Sequence, residues 1–414
     1  MESARLIAGL ARYTGDLGLA EELAQDAVVA ALEQWPQDGV PRNAGAWLMT
    51  VAKRRAVDMF RRNRQLERKY LQLARELEAE GEGSTPDFDH AFSDRIDDDM
   101  LRLVFTACHP VLAVQARVAL TLRLIGGLTT AEIARAYLVP EPTIAQRIVR
   151  AKKTLAKAQV PFEVPGVQER GARLSSVLEV IYLIFNEGYS ATAGDDWMRP
   201  ELCGDALRLG RILAQLMPAE PEVHGLVALM EIQASRVRAR TGPSGEPVLL
   251  LDQDRSRWDR LLINRGLAAL TQAEQLGGMS GPYALQAAIA ACHATAFRPE
   301  DTDWARIAGL YAVLAEVTPS PVIELNRAVA VSMASGAQAG LDLVDTLTAE
   351  GSLAGYHLLP SVRGDLLMKL GRPQEASVEF ERAAALTRNA AEQQLSRDRA
   401  DAARAEAATR RRRG

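Results

Sequence analysis

Two adjacent residue pairs, Cys108-His109 and Cys292-His293, have side chains that commonly bind metal ions. A zinc site needs three or four ligands, and no further ligand stands at a suitable spacing from either pair. Neighbouring residues on a helix also point in different directions, so each pair offers at most one ligand to a given site. We therefore predict no metal site. The chain also lacks the glycine-rich run that cradles nucleotide phosphates, and we predict no cofactor.

Polar residues near the middle of the chain could line a ligand pocket. They are Asn186, Glu187, Tyr189 and Asp195. The same residue types also serve as helix caps and as ion pairs between helices, and this structural role is the favoured interpretation because charged networks are common in folded proteins. An enzyme with catalytic residues around Glu187 and Asp195 has little support from this pattern, and we predict that the protein is not an enzyme.

Clustered basic residues give a stronger indication of function. The whole chain carries a net charge of −4, but the charge is segregated along it. Residues 1–40 carry −5, residues 41–75 carry +8, residues 76–99 carry −9 and residues 100–160 carry +7. A basic patch is expected where a protein contacts a phosphate backbone, because neutralised phosphates release their counterions. Either patch alone could be an ordinary solvated helix face, but two patches with an acidic spacer favour nucleic-acid binding at two sites.

Length and composition indicate what kind of fold carries these residues. A chain of 414 residues has room for two to four domains. Apolar residues recur at spacings of three and four in most windows, which predicts an all-α fold without a sheet. The three cysteines form no CxxC pair, which favours a reducing compartment, and no apolar run has the length of a membrane span. We expect a cytoplasmic protein with no membrane partner.

The first basic segment predicts two helices. The earlier one begins near Ala20 and is amphipathic. Its candidate outward residues are Glu21, Glu22, Gln25 and Asp26. A turn at Trp35-Pro36 is predicted to end it, and a second helix is predicted over residues 44–64. The residues of this second helix that could contact DNA are Lys53, Arg54, Asp58, Arg61 and Arg62.

The second basic segment is typical of a helix-turn-helix. Thr129 or Thr130 can cap a first helix, and Pro142 suits the start of the next, where a missing N–H costs nothing. The inward residues of the second helix are Ile144, Ile148, Ala151 and Leu155. Its candidate DNA contacts are Thr143, Gln146, Arg147, Arg150, Lys152 and Lys153. An αα-hairpin with a solvated basic face remains the alternative for this segment read alone.

Three motifs resemble a known family. They are AEELAQDAV (Ala20–Val28), AWLMTVAKRRAVDMFRR (Ala46–Arg62) and LTTAEIARAYLVPEPTIAQRIVRAKKTL (Leu128–Leu155). Their order is similar to that in bacterial RNA polymerase sigma factors of the extracytoplasmic-function (ECF) subfamily. The resemblance extends over nearly the whole chain, to the subgroup with a C-terminal tetratricopeptide-like extension.

The resemblance implies a role for each motif. The first motif is similar to the region 2 helix that docks on the β′ clamp of core RNA polymerase. The second motif is similar to the segment that reads and melts the minus-ten element of the promoter. The third is similar to region 4, which reads the minus-thirty-five element and contacts the β flap. The partners implied are core RNA polymerase and promoter DNA, with nucleoid association. The predicted domains are region 2 over 1–75, an acidic linker over 76–99 and region 4 over 100–158.

A large helical part follows a short predicted linker at 159–172. We predict that residues 173–395 form an α-solenoid, that residues 396–414 form a basic tail, and that the chain frays from Ala400 onward. Gly371 with Ala376, Phe380 and Ala383 matches the turn and packing positions of one tetratricopeptide repeat. Gly336 lies one repeat length earlier, in a weaker copy.

Two functions from different classes account for these features. The leading hypothesis is a sigma factor regulated by its fused C-terminal domain, which needs no separate anti-sigma factor. The alternative is a stand-alone helix-turn-helix regulator with a protein-binding solenoid, which needs no polymerase. Only the first function requires the acidic helix that begins near Ala20.

Overall fold

The computed structural model of the chain describes residues 2–62, 89–137, 139–191, 197–243 and 245–413. Throughout these ranges the elements are helices and short turns, with a single isolated bridge between Thr241 and Pro247, so the predicted all-α fold is confirmed. The chain divides into two compact units, Met1–Leu183 and Ile184–Gly414. No helix in the part described is both long and apolar enough to cross a membrane.

The first unit begins with a bundle of three helices and continues with the helices that carry the predicted helix-turn-helix. Its helices are α1 (Glu2–Thr14), α2 (Leu17–Asp38), α3 (Ala44–Arg62), α4 (Asp89–Ala107), α5 (Val114–Thr121), α6 (Thr130–Ala136), α7 (Glu141–Lys157) and the first part of α8 (Val167–Tyr189). A π-helical turn, Leu122–Gly126, follows α5 directly. The first part of the predicted acidic linker, residues 76–88, lies outside the described residues, and the rest of it, residues 89–99, is helical in α4.

Helix α2 is longer than the sequence predicted. Asp16 caps its start by accepting hydrogen bonds from two backbone N–H groups. The predicted turn at Trp35-Pro36 is wrong, because α2 continues through Pro36 to Asp38. Proline removes one hydrogen bond from a helix, and here that loss falls in an exposed last turn. The ring of Trp35 packs on Trp47 of α3 with centroids 5.4 Å apart, which holds this turn against the bundle.

The helix-turn-helix is confirmed in its local details. Thr129 caps α6 and forms a capping box with Glu132. Pro142 lies in the first turn of α7, as predicted. The residues predicted to point inward from α7 are all buried: Ile144, Ile148, Ala151 and Leu155.

Helix α8 starts earlier than the predicted domain boundary at residue 173. Its first part packs on region 4, where the hydroxyl of Ser176 donates to the carbonyl of Cys108 across 2.6 Å. Arg117 of α5 forms a 3.0 Å ion pair with Glu179. These contacts explain why the first unit extends to residue 183 and includes the first part of α8.

The second unit is an array of helical hairpins. Its helices after α8 are α9 (Pro200–Leu216), α10 (Pro221–Ala234), α11 (Arg260–Gln275), α12 (Pro282–Thr295), α13 (Trp304–Val317), α14 (Pro321–Ser335), α15 (Ala337–Glu350), α16 (Leu358–Lys369), α17 (Pro373–Leu386) and α18 (Ala390–Arg413). Neighbouring helices in the chain pack on each other from α9 onward.

The two glycines singled out in the sequence lie between paired helices. Gly336 joins α14 to α15 with a φ of 102°, and Gly371 joins α16 to α17 with a φ of 74°. Residues with a Cβ rarely adopt this conformation, which explains the choice of glycine. Phe380 is fully buried in the core of these hairpins, together with Ala376 and Ala383. Membership of the tetratricopeptide class stays a prediction.

The end of the chain is ordered helix rather than the predicted frayed tail. Helix α18 extends to Arg413. Ala400, Ala403 and Ala407 are buried at spacings of three and four, and α18 packs along α17. The sequence prediction was wrong because small alanines carry this packing face, and the many charged residues around them hide its periodicity.

Candidate functional site

The outer face of α2 carries most of the predicted carboxylate surface. Glu22, Gln25 and Asp26 are exposed, as predicted. Apolar residues of the same helix are exposed beside them: Val28, Val29 and Leu32. Asp26 also pairs with Arg55 of α3 at 3.2 Å. The helix therefore presents acidic and apolar groups together to solvent.

Glu21 differs from the prediction, because its side chain is buried. Its Oε1 accepts from Arg123 Nε at 2.8 Å and from Gln25 Nε2 at 3.2 Å. Its Oε2 accepts from the ammonium of Lys152. Arg123 lies in the π-helical turn and Lys152 in α7, so a carboxylate of region 2 is held by two cations of region 4. Sequence reasoning missed Arg123 because the π-helical turn that positions it has no pattern in the sequence.

The basic face of α3 is also only partly as predicted. Arg54 and Asp58 are exposed. Lys53 was predicted to contact DNA, but it is 3% exposed and its Nζ lies 4.5 Å from the centroid of the Tyr13 ring. Its charge is stabilised by the aromatic face from α1, an interaction that a linear sequence does not indicate. The side chains of Arg61 and Arg62 lie outside the described residues.

Helix α7 presents a basic surface to solvent. Gln146, Arg150 and Lys153 are exposed, and Thr143 and Arg147 are partly exposed. Lys152 is the exception, since its ion pair with Glu21 leaves the side chain 21% exposed. Polar and basic groups along one helix of a helix-turn-helix are suited to base edges and phosphates in a major groove.

The predicted pocket residues of the second unit take part in contacts between helices. Glu187 pairs with Arg199. The Arg240 guanidinium carbon lies 3.4 Å from the centroid of the Tyr189 ring, and its Nη1 donates to the Tyr189 carbonyl at 2.6 Å. Asn186 is partly exposed on the same helix, and Asp195 lies outside the described residues. A ligand pocket among these residues stays a prediction.

The three cysteines lie in the interior of the described structure. Cys108, Cys203 and Cys292 are buried free thiols. Burial raises the pKa of Cys108 to about 11 and that of Cys203 to about 12, so both are protonated at neutral pH. Among the residues described, no three His, Cys, Asp or Glu side chains lie close enough together to hold a metal ion.

The geometry defines a class of protein. A helical bundle whose helix α2 has an acidic outer face and a helix-turn-helix with a basic outer face are the two parts expected of a sigma factor. The family comparisons agree: the Sigma-70 region 2 family matches residues 2–65, and the Sigma-70 region 4 family matches residues 102–155. A family of unknown function (DUF6596) matches residues 173–274.

The chain therefore belongs to the sigma-70 family, as an ECF-type factor with a C-terminal extension. Such a factor serves promoter-specific transcription and is not an enzyme. The chain is similar to the uncharacterized protein R00370 of Rhizobium meliloti (strain 1021), with 45% identity over 408 residues that cover 97% of this chain and 93% of the relative. No solved structure matches it.

Proposed function

We propose that the protein binds core RNA polymerase through the outer face of α2 and so directs it to promoters. The exposed acidic and apolar residues of that helix support this role, because an interface needs both a buried apolar contact and complementary charge. By the family resemblance, the surface that receives α2 is the β′ clamp, and region 4 contacts the β flap.

The two basic surfaces bind different promoter elements in this proposal. Helix α3 contacts the minus-ten element, where Arg54 is exposed and available to phosphate. Helix α7 contacts the minus-thirty-five element through Arg147, Arg150 and Lys153. In this proposal the cations stabilise the complex through counterion release, and side chains near the start of α7 read the base edges.

The second unit acts as the regulator of the first, in place of a separate anti-sigma factor. Residues 184–414, which make up this unit, carry a net charge of −4 and follow in the chain the basic regions that are proposed to bind DNA. An acidic domain on the same chain has a high effective concentration near the cations that it competes for. The second unit activates transcription if it favours the DNA-binding state of the first unit, and it represses transcription if it favours the other state.

Run-off transcription with core polymerase and a genomic fragment library tests this proposal. Full-length protein is expected to give discrete transcripts that core polymerase alone does not give. A chain ending at Leu183, the last residue of the first unit, is expected to give the same transcripts at a different rate. Transcripts at an unchanged rate would rule out regulation by the second unit, and no transcripts from the full chain would rule out the sigma-factor role.

A further inference from the structure

Two surfaces that the proposed function assigns to different partners meet in one contact. Glu21 belongs to the motif that resembles the polymerase-docking helix, and Lys152 belongs to the helix proposed to bind the minus-thirty-five element. Their side chains form an ion pair, and Arg123 completes it. We call the contact between Glu21, Arg123 and Lys152 the latch.

The latch uses both oxygens of the Glu21 carboxylate. Oε1 accepts from Arg123 and from Gln25, and Oε2 accepts from Lys152. The Glu21 side chain is 9% exposed, and the two cations are 23% and 21% exposed. Removing one partner from a contact that is this sheltered leaves a poorly solvated charge, so the latch has more influence than an ion pair on an open surface.

Other contacts join the same two regions. Helix α1 packs against α4 and against the π-helical turn that carries Arg123. Arg12 Nε of α1 also lies 3.6 Å from Oδ2 of Asp99, the residue of α4 that directly precedes region 4. The latch is thus the charged part of a wider interface between region 2 and region 4, both of which lie in the first compact unit.

The closed arrangement is too small to contact both promoter elements. The elements are named for positions about 25 base pairs apart, which corresponds to about 85 Å of DNA at 3.4 Å per base pair. A compact unit of 183 residues has a radius of gyration of about 16 Å, so it is roughly 40 Å across. Region 2 and region 4 must therefore separate before α3 and α7 can bind their elements together.

We propose that the latch keeps region 2 and region 4 closed in the free protein, and that core polymerase opens it by competing for Glu21. Opening also releases Lys152 for a DNA phosphate. Binding of polymerase and binding of the minus-thirty-five element are then coupled, because each removes a partner from the same contact. The coupling is reciprocal, so DNA that engages Lys152 increases the affinity for polymerase. This inference rests on the proposed function for its partners, but the closed state itself does not.

Fluorescence transfer between two dyes on the full-length chain tests the closed state without any partner. The dyes are attached through Glu33→Cys in α2 and Lys157→Cys in α7, both exposed positions. The three native cysteines are buried, so they react with the dyes far more slowly than the two exposed engineered cysteines. The test variant is Arg123→Glu, which places like charges in the latch and changes no residue assigned to polymerase or DNA. Arg135→Glu, an exposed position of α6, is the matched control.

Arg123→Glu is expected to lower the transfer efficiency by raising the open-to-closed ratio about tenfold, roughly the effect of losing one charge-assisted hydrogen bond. Arg135→Glu is expected to leave it unchanged. The reversed set Glu21→Lys, Arg123→Glu and Lys152→Glu is expected to restore the parent value. Unchanged transfer in Arg123→Glu, or no recovery in the reversed set, overturns the proposal. The milder Arg123→Gln replaces Arg123→Glu if circular dichroism shows that the latter has lost helix.

Co-migration with core polymerase, measured on the same variants, separates the two proposals. The latch predicts that Arg123→Glu binds polymerase more tightly than the parent chain, by the same factor as the shift in the open population. Binding without any difference between the variants refutes the latch and leaves the proposed function standing. A transfer change without any polymerase binding refutes the proposed function and leaves the closed state standing.

Discussion

Asp26 of α2 and Arg55 of α3 form an exposed ion pair, with Arg55 Nη1 3.2 Å from Asp26 Oδ2 and 2.8 Å from the Asp26 carbonyl oxygen. The carboxylate is 54% exposed, so the pair contributes at most about 1 kcal/mol to stability. Asp26 is therefore positioned by Arg55 but stays accessible. Glu22 is exposed one turn earlier on the same helix, and the two carboxylates make the acidic part of the proposed docking surface.

Replacing Glu22 with lysine is expected to weaken binding to core polymerase by about tenfold, because a like charge opposite a basic surface costs on the order of 1 kcal/mol or more. The measurement is a titration of labelled protein with core polymerase followed by fluorescence anisotropy. Glu350→Lys, an exposed residue at the end of α15, is the matched control. Equal affinities for the two variants would exclude Glu22 from the docking surface.

Replacing Arg150 with alanine is expected to weaken binding to a duplex that contains the minus-thirty-five element. Loss of one phosphate contact reduces the slope of log affinity against log salt by about 1. The same titration is run at several salt concentrations with the polymerase complex. Arg306→Ala in α13 is the control, since this exposed arginine lies in the second unit. A slope that Arg150→Ala leaves unaltered would remove Arg150 from the DNA surface.

The second unit contains a glycine that has no room for a side chain. A Cβ at Gly188 would lie 2.6 Å from the backbone nitrogen of Cys203 and 2.9 Å from the carbonyl oxygen of Arg199. Gly188→Ala is expected to lower the free energy of unfolding by about 1–3 kcal/mol, because backbone atoms must move. Gly204→Ala, at a helical position with open space, is expected to raise it by up to about 1 kcal/mol. Urea unfolding of both variants checks this, and a stability loss of the same size in both would contradict the packing argument.

The stability of the second unit is expected to fall in mild acid because of His293. Burial, with smaller effects from Arg236 and Arg255, lowers the pKa of His293 to about 4 from its ordinary 6.5. The unfolded chain takes up this proton below pH 6.5 and the folded chain only near pH 4, so stability falls as the pH drops between these values. One such group changes the free energy of unfolding by about 2 kcal/mol between pH 7 and pH 5.

The variant His293→Phe is expected to reduce this pH dependence, since the ring can still pack on Trp304. His224→Gln, near the surface on α10, is expected to leave it in place. Urea unfolding at pH 7 and pH 5 gives the comparison. If His293→Phe and the parent chain lose equal stability between these pH values, another group is responsible.

Local patterns in the sequence predicted local structure well. The inward set of α7 followed from apolar residues at spacings of three and four, and the cap at Thr129 followed from its position before an apolar run. Gly371 matched the turn of a tetratricopeptide-like pattern, and it lies at a turn between packed helices with a positive φ. Each of these features is determined by residues within about ten positions of one another.

Features determined by distant residues could not be predicted in this way. The burial of Glu21 depends on cations 102 and 131 positions away, and that of Lys53 depends on a ring in α1. A periodic pattern places both residues on the surface of an isolated helix and contains no information about what packs over it. Sequence patterns are thus least reliable for predicting which charged residues of the site are exposed, because exposure depends on the tertiary structure.

The most direct measurement is gel filtration of the full-length protein mixed with core RNA polymerase, followed by run-off transcription from the fractions. Co-elution with polymerase, together with promoter-dependent transcripts from the same fractions, is the result expected of a sigma factor. Elution of the protein apart from polymerase, with no transcripts above those of core polymerase alone, would contradict this function for the chain.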